Sequence, residues 1–274
     1  MNTVLLGQSY YLRFDKKLWE AMQPYPPLGT LYAASHLRSK GFQVALFDAM
    51  LAESTEGWVA ALDLHRPRFA VIYEDSFNYL SKMCLLRMRE AAWEMIEQAK
   101  AQGCTVIVSG SDVTDHRKAY FEKGADYILI GEGEITLAEL IASLSGQSPT
   151  PVKEIGGVVS SGASNGSVLA RRPLRDLDQL SFPAWDLVDV KRYRELWQSR
   201  HGYYSVNMVT TRGCPYHCNW CAKPIYGQRH HWRSPENVVE ELKWLKERQQ
   251  PDHVWFADDI FGLKRGWIER FSEL

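Results

Sequence analysis

Along its first half the chain alternates short apolar runs with longer stretches of mixed polarity. The runs are Val4–Leu6, Val44–Phe47, Phe69–Tyr73, Thr105–Val108 and Tyr127–Ile130. Runs of this length suit strands buried on both faces. The stretches between them carry apolar residues at helical spacing. One covers about Leu28 to Lys40 and stops at Gly41; a second covers about Leu85 to Ala101, ahead of Gly103. A third places Leu137, Leu140, Ile141 and Leu144 on one face before Gly146. Glycine just beyond a helical stripe suits the left-handed C-terminal cap. Strand and helix alternating in this way predict a doubly wound, Rossmann-like parallel sheet of five strands over residues 1–146.

Gln147-Ser148-Pro149-Thr150-Pro151 reads as a linker, and residues 147–204 as a connecting region. Within it, Gly157–Ser160 and Val168–Arg171 flank a Gly/Ser/Asn turn and predict a hairpin. Phe182-Pro183-Ala184-Trp185-Asp186 and the aromatic stretch to Trp197 read as a bridge. A second α/β pattern occupies residues 205–274: a strand at Val206–Thr211, a helix from Pro235 with Ser234 as its N-cap, and a strand at His253–Ala257. Such a pattern begins a barrel.

Composition narrows the function classes only a little. Apolar residues are 45% and charged residues 24%, as in a well-cored globular protein, and the net charge of -1 argues for neither nucleic acid nor a membrane surface. No segment approaches the roughly 18 apolar residues of a membrane span, and the N-terminus has no signal-peptide pattern, so a cytoplasmic location is expected. Five cysteines are an odd number, with three gathered at Cys214, Cys218 and Cys221, which suits a metal or cluster site in a reducing compartment. Cys84 and Cys104 read as small buried hydrophobes.

The chemistry lies in Thr211-Arg212-Gly213-Cys214-Pro215-Tyr216-His217-Cys218-Asn219-Trp220-Cys221. Thiolates spaced Cys-x3-Cys-x2-Cys on a loop can hold three irons of a [4Fe-4S] cluster and leave the fourth open to a chelating ligand. The competing reading is zinc, held by the three thiolates with His217, His230 or His231. Zinc sites usually pair their cysteines, and a histidine between the first two ligands is an awkward fourth.

This loop resembles that of the radical S-adenosylmethionine (SAM) superfamily, with Trp220 as the aromatic residue before the last cysteine. The resemblance implies that the open iron binds the amino and carboxylate groups of SAM, and that one electron from the cluster cleaves the sulfonium to a 5′-deoxyadenosyl radical. It also implies an external electron donor such as flavodoxin or ferredoxin. Asp258 and Asp259, at the end of the next strand, stand where family members hold the SAM amino group; a carboxylate accepts hydrogen bonds from an ammonium. The bland alternative is that one of them caps a turn.

The front region resembles the cobalamin-binding domain that precedes the barrel in one large group of these enzymes. Leu28 and Gly29, opening the first long helix, Gly110 and Ser111 after the fourth strand, and Gly131, Glu132 and Gly133 after the fifth carry that likeness and become candidate cobalamin contacts. Glu74, Asp75, Ser76, Asn78 and Tyr79 are weaker ones. A nicotinamide cofactor is disfavoured, because neither Gly7-Gln8-Ser9 nor Gly131-Glu132-Gly133-Glu134 completes a Gly-x-Gly-x-x-Gly. The first loop lacks the histidine that ligates cobalt in many cobalamin domains, and His65 reads as a helix-end residue, so cobalamin without a protein axial ligand is expected. The resemblance implies methyl transfer to an unactivated carbon or ring closure on a tetrapyrrole. The alternatives are a radical SAM enzyme without cobalamin and a non-catalytic cobalamin- or metal-binding module. Ending soon after Asp259, the chain reads as lacking the later barrel strands, with residues after about Val206 poorly covered.

Overall fold

The computed structural model describes residues 3–78, 85–162, 168–219 and 225–274. Strands β1 (Thr3–Gly7), β2 (Gln43–Phe47), β3 (Phe69–Tyr73), β4 (Thr105–Ser109) and β5 (Tyr127–Leu129) form a parallel sheet. The strand order is β2-β1-β3-β4-β5, continued by β6 (Val158–Ser160), which runs antiparallel to β5. The expected five-stranded sheet therefore has a sixth, reversed strand at its edge. Only the first arm of the predicted hairpin is a strand, and its partner is β5; in the other arm, Leu169 merely accepts a bond from the Gly157 amide, and the turn at 163–167 lies outside the described residues.

Helices α1 (Lys16–Ala21), α2 (Leu28–Ser39), α3 (Glu56–His65), α4 (Leu86–Ala101), α5 (Ser111–Asp115), α6 (Arg117–Glu122) and α7 (Glu134–Leu144) connect and flank these strands. One core holds α3 and α4 on the sheet through Trp58, Leu62, Met95 and Ile96; another holds α2 and α7 on the opposite face through Leu37, Leu137 and Ile141. Gly41, Gly103 and Gly146 have positive φ just past α2, α4 and α7, as their placement predicts. The order reverses between β1 and β3, and the crevice outside the carboxyl ends there is where doubly wound sheets bind ligands.

The bridging region crosses this edge. Its helix α8 (Val190–His201) sends Trp197 Nε1 to the Pro24 carbonyl at 2.7 Å and the Tyr193 hydroxyl to Asp48 at 2.8 Å. Beyond it, β7 (Ser205–Met208) pairs in parallel with β10 (His253–Phe256), and α9 (Pro235–Arg248) connects them; α10 (Trp267–Glu273) follows. Ser234 caps α9 by accepting from the Asn237 amide, 3.1 Å. A two-residue ladder, β8 (Thr211–Arg212) with β9 (His231–Trp232), closes the loop between them.

The sequence predicts poor cover for residues after Val206, because two strands and one helix cannot bury both faces. β7 is nevertheless buried throughout. Val206 and Met208 share a core with Leu28, Tyr32 and Phe77 of the front sheet and with Trp185 and Trp197 of the bridge, while Tyr25 packs on Trp255 at 4.9 Å. The front sheet supplies this cover for β7, while β10 alternates exposed and half-buried residues.

Candidate functional site

The loop between β8 and β9 carries the cysteines. Cys214 is half-buried, Cys218 is exposed and both are free thiols; Trp220 and Cys221 lie outside the described residues, as do Cys84 and Tyr79. Gly213 has φ 78°, and a methyl group there would run into the carbonyl oxygen of Arg229. The loop thus turns sharply on a residue that must lack a side chain, with its outgoing and returning arms touching. Two free thiols and the third cysteine on one loop, next to a glycine pinch, suit a cluster with one iron free of protein ligands. Of the histidines weighed for zinc, His231 pairs in the β8–β9 ladder and His230 Nε2 lies 3.4 Å from the Ile260 carbonyl oxygen.

Three contacts fix the loop's base. Asp258 accepts from the Thr210 and Thr211 amides at 2.7 and 2.9 Å and from the Thr210 hydroxyl at 2.5 Å. Burial pushes its pKa up while these bonds pull it down. Its carboxylate therefore ties the end of β10 to the β7–β8 turn. Asp259 is exposed. The Thr211 hydroxyl donates to the Ile260 carbonyl at 3.0 Å.

Arg212 is the third and reaches across to the front sheet. Its Nη2 donates to Glu134 at 2.7 Å and its Nη1 lies 4.0 Å from Glu132. The guanidinium is 5.6, 5.4 and 5.0 Å from the rings of Tyr32, Phe77 and Tyr226, and Phe77 stacks on Tyr226 at 5.4 Å. Burial alone would lower the Arg212 pKa, but the carboxylates of Glu134 and Glu132 outweigh it and hold the charge. Sequence reasoning missed Arg212 and Glu134, since an arginine beside a cysteine motif and a glutamate opening a helix look ordinary until the fold joins them.

The candidate cobalamin residues are spread along the carboxyl edge and serve the fold there. Leu28 and Gly29 donate amide bonds to Asp75 at 3.2 and 2.9 Å, so a carboxylate from the neighbouring strand caps α2, whose Pro27 has no side chain to do so. A methyl on Gly110 would meet Glu74 at 2.8 Å, and one on Gly133 would meet Tyr73 at 2.6 Å; Gly131 faces open space. Ser111 opens α5, and Glu132 accepts from the Leu174 amide at 2.6 Å. Gly29, Gly110 and Gly133 thus permit close internal packing, while Gly131 is open. Two openings lie along the front sheet, lined by other residues. A cavity of about 130 Å³ at the β1/β3 switch point is lined by Tyr10, Asp75, Phe77, Asn207 and Trp255, and a cleft of about 370 Å³ by Ser9, Tyr11, Lys16 and Leu86 among others.

Across the switch point, the Ser9 hydroxyl donates to Glu74 at 2.6 Å. Burial raises the Glu74 pKa to about 8, although bonds from Ser9 oppose the shift. His36 and His65 lie away from this edge, in the last turns of α2 and α3 at the amino end of the sheet. Among the described residues no helix is long and apolar enough to cross a membrane.

Residues 208–274, the stretch holding the loop and its clamp, match the model of the radical SAM superfamily. The chain carries a radical SAM domain. An uncharacterised methyltransferase of Pyrococcus horikoshii is 26% identical over 88% of this chain and 50% of its own length. The anaerobic magnesium-protoporphyrin IX monomethyl ester cyclase of Synechocystis is 28% identical over 90% of this chain and 48% of its own. The chain thus spans about half the length of the curated relatives it matches. A solved structure of the radical SAM methyltransferase TsrM of Kitasatospora setae, with cobalamin and a [4Fe-4S] cluster bound, superposes with a TM-score of 0.72 at 18% identity. It covers all of this chain and 50% of TsrM, so the front sheet and the start of the radical SAM domain share its fold.

Proposed function

We propose that this chain is the cobalamin-binding and cluster-binding part of a radical SAM enzyme that transfers a methyl group to an unactivated carbon. Ring closure on a tetrapyrrole is the second reading, favoured by the likeness to the Synechocystis cyclase. The observation that carries the proposal is the cysteine loop held at the carboxyl end of β7 and tied through Arg212 to the carboxyl edge of a doubly wound sheet. Residues 1–146 hold cobalamin in this reading, 147–204 form the bridge, and 205–274 begin the barrel.

Cys214, Cys218 and Cys221 hold the cluster, which when bound supplies the electron that cleaves SAM; a flavodoxin or ferredoxin reduces it. Trp220 and Asp259 are SAM contacts in this reading, and Asp258, whose bonds to Thr210 and Thr211 fix the turn that leads into the loop, keeps an acceptor position on Oδ2 for a further one. In this reading Leu28, Gly29, Gly110, Ser111, Gly131, Glu132 and Gly133, along the carboxyl edge of the front sheet, would hold cobalamin.

Cobalamin binding is tested by electron paramagnetic resonance of the cob(II)alamin form. The expected spectrum has no superhyperfine splitting from a histidine nitrogen and is unchanged in His36→Ala and His65→Ala. Splitting that disappears in either variant contradicts the proposed site. Splitting lost instead in His116→Ala, the histidine following α5 on the carboxyl side of β4, would keep the site but overturn the absence of a protein axial ligand. Absence of cobalamin binding would leave a radical SAM enzyme whose front sheet serves another partner.

A further inference from the structure

The Gly131-Glu132-Gly133-Glu134 turn, whose first three residues are candidate cobalamin contacts, turns both its carboxylates towards Arg212, two residues before the first cysteine. We propose that Arg212 is a positioning residue: it transmits the placement of the front sheet's carboxyl edge to the Cys214 thiol.

Three observations carry this. First, Arg212 lies at the base of the loop, opposite His231 in the β8–β9 ladder, and its neighbour Gly213 touches the returning arm at Arg229. A displacement of Arg212 therefore moves both arms. Second, the groups that grip the guanidinium come from three separate places on the front sheet: Glu134 and Glu132 after β5, Tyr32 on α2 and Phe77 after β3. Tyr226, on the returning arm, closes the cage by stacking on Phe77. The position of Arg212 thus reports on the ends of β3 and β5 and on α2 together. Third, the arrangement is costly unless complete. Arg212 and Glu134 are each only 3% exposed, and a buried charge without its partner destabilises its surroundings far more than a surface one. Arg212 Nη1 and Glu132 Oε1 form no hydrogen bond with each other or with other protein groups, so the pairing has room to tighten. Lysine would keep the charge but could neither span both carboxylates nor stack against three rings.

The inference rests on the proposed role of Cys214 as a cluster ligand, but its test needs no cluster. In the full-length, iron-free protein, alkylation by iodoacetamide is followed at each cysteine by peptide mass spectrometry. Cys104, buried in the front sheet 3% exposed, serves as an internal reporter of general unfolding. Glu134→Ala is expected to speed alkylation of Cys214 by roughly tenfold, and Arg212→Lys by less, with Cys104 as protected as in the wild type. Glu134→Gln, which still accepts from Arg212, is expected to restore slow Cys214 alkylation. Unchanged Cys214 rates in both Glu134→Ala and Arg212→Lys would overturn the proposal. So would parallel acceleration at Cys104, which marks a merely structural role, or a Glu134→Gln rate equal to that of Glu134→Ala. Failure of the cluster reading would appear separately, as wild-type protein that takes up no iron.

Discussion

At the scale of single residues, buried carboxylates do more of the work than the motif suggests. Asp75 caps a helix from another strand, Asp258 staples the base of the loop, and Glu134 holds Arg212; none of these roles is written in local sequence, because each partner lies dozens of positions away. Glu74 gives a titration that can be measured. Its folded pKa, about 8, lies above the usual carboxylate range, with burial as the main cause. The folded state therefore keeps a proton that the unfolded chain has lost. The stabilisation is complete in acid, falls as pH rises out of the carboxylate range, and is gone once pH passes about 8. Glu74→Gln mimics the neutral acid. Urea unfolding at pH 6 and pH 9 should show the wild type losing at least roughly tenfold more in its folding equilibrium constant than Glu74→Gln. Equal losses would mean that Glu74 is ionised in the fold.

At the scale of elements, the apolar runs, the glycine stops and the Ser234 cap were legible because each depends on neighbours within a turn or a pleat. The hairpin was not: its first arm prefers the open edge of β5, and edge pairing is a tertiary choice that periodicity does not encode. The cover of β7 was equally invisible, since it comes from Tyr32 and Phe77, far away in the chain. That cover has a consequence for exchange. β7 is buried at every position, whereas β10 alternates exposed and half-buried residues. Hydrogen exchange followed by mass spectrometry should find the Ser205–Met208 amides slower than those of His253–Phe256, on the order of tenfold. Exchange in β7 as fast as in β10 would mean that the front sheet does not seal it.

At the scale of the whole molecule, a doubly wound sheet and a radical SAM domain meet through buried aromatic residues and one caged arginine. The cysteine spacing was readable because three cysteines on one loop are local in sequence. The join between the units was not, because Glu134, Tyr32 and Arg212 converge only after the sheet has formed. The candidate cobalamin glycines lie along the carboxyl edge, and the tight packing of Gly29, Gly110 and Gly133 against Asp75, Glu74 and Tyr73 had no local signature. The claim on which the rest depends is that the loop holds an iron–sulfur cluster, and metal analysis of anaerobically reconstituted protein tests it most directly. About four irons with matching sulfide per chain are expected. The brown absorption should be lost in Cys214→Ala, Cys218→Ala or Cys221→Ala and kept in Cys104→Ala. Stoichiometric zinc without iron under the same handling would contradict the account.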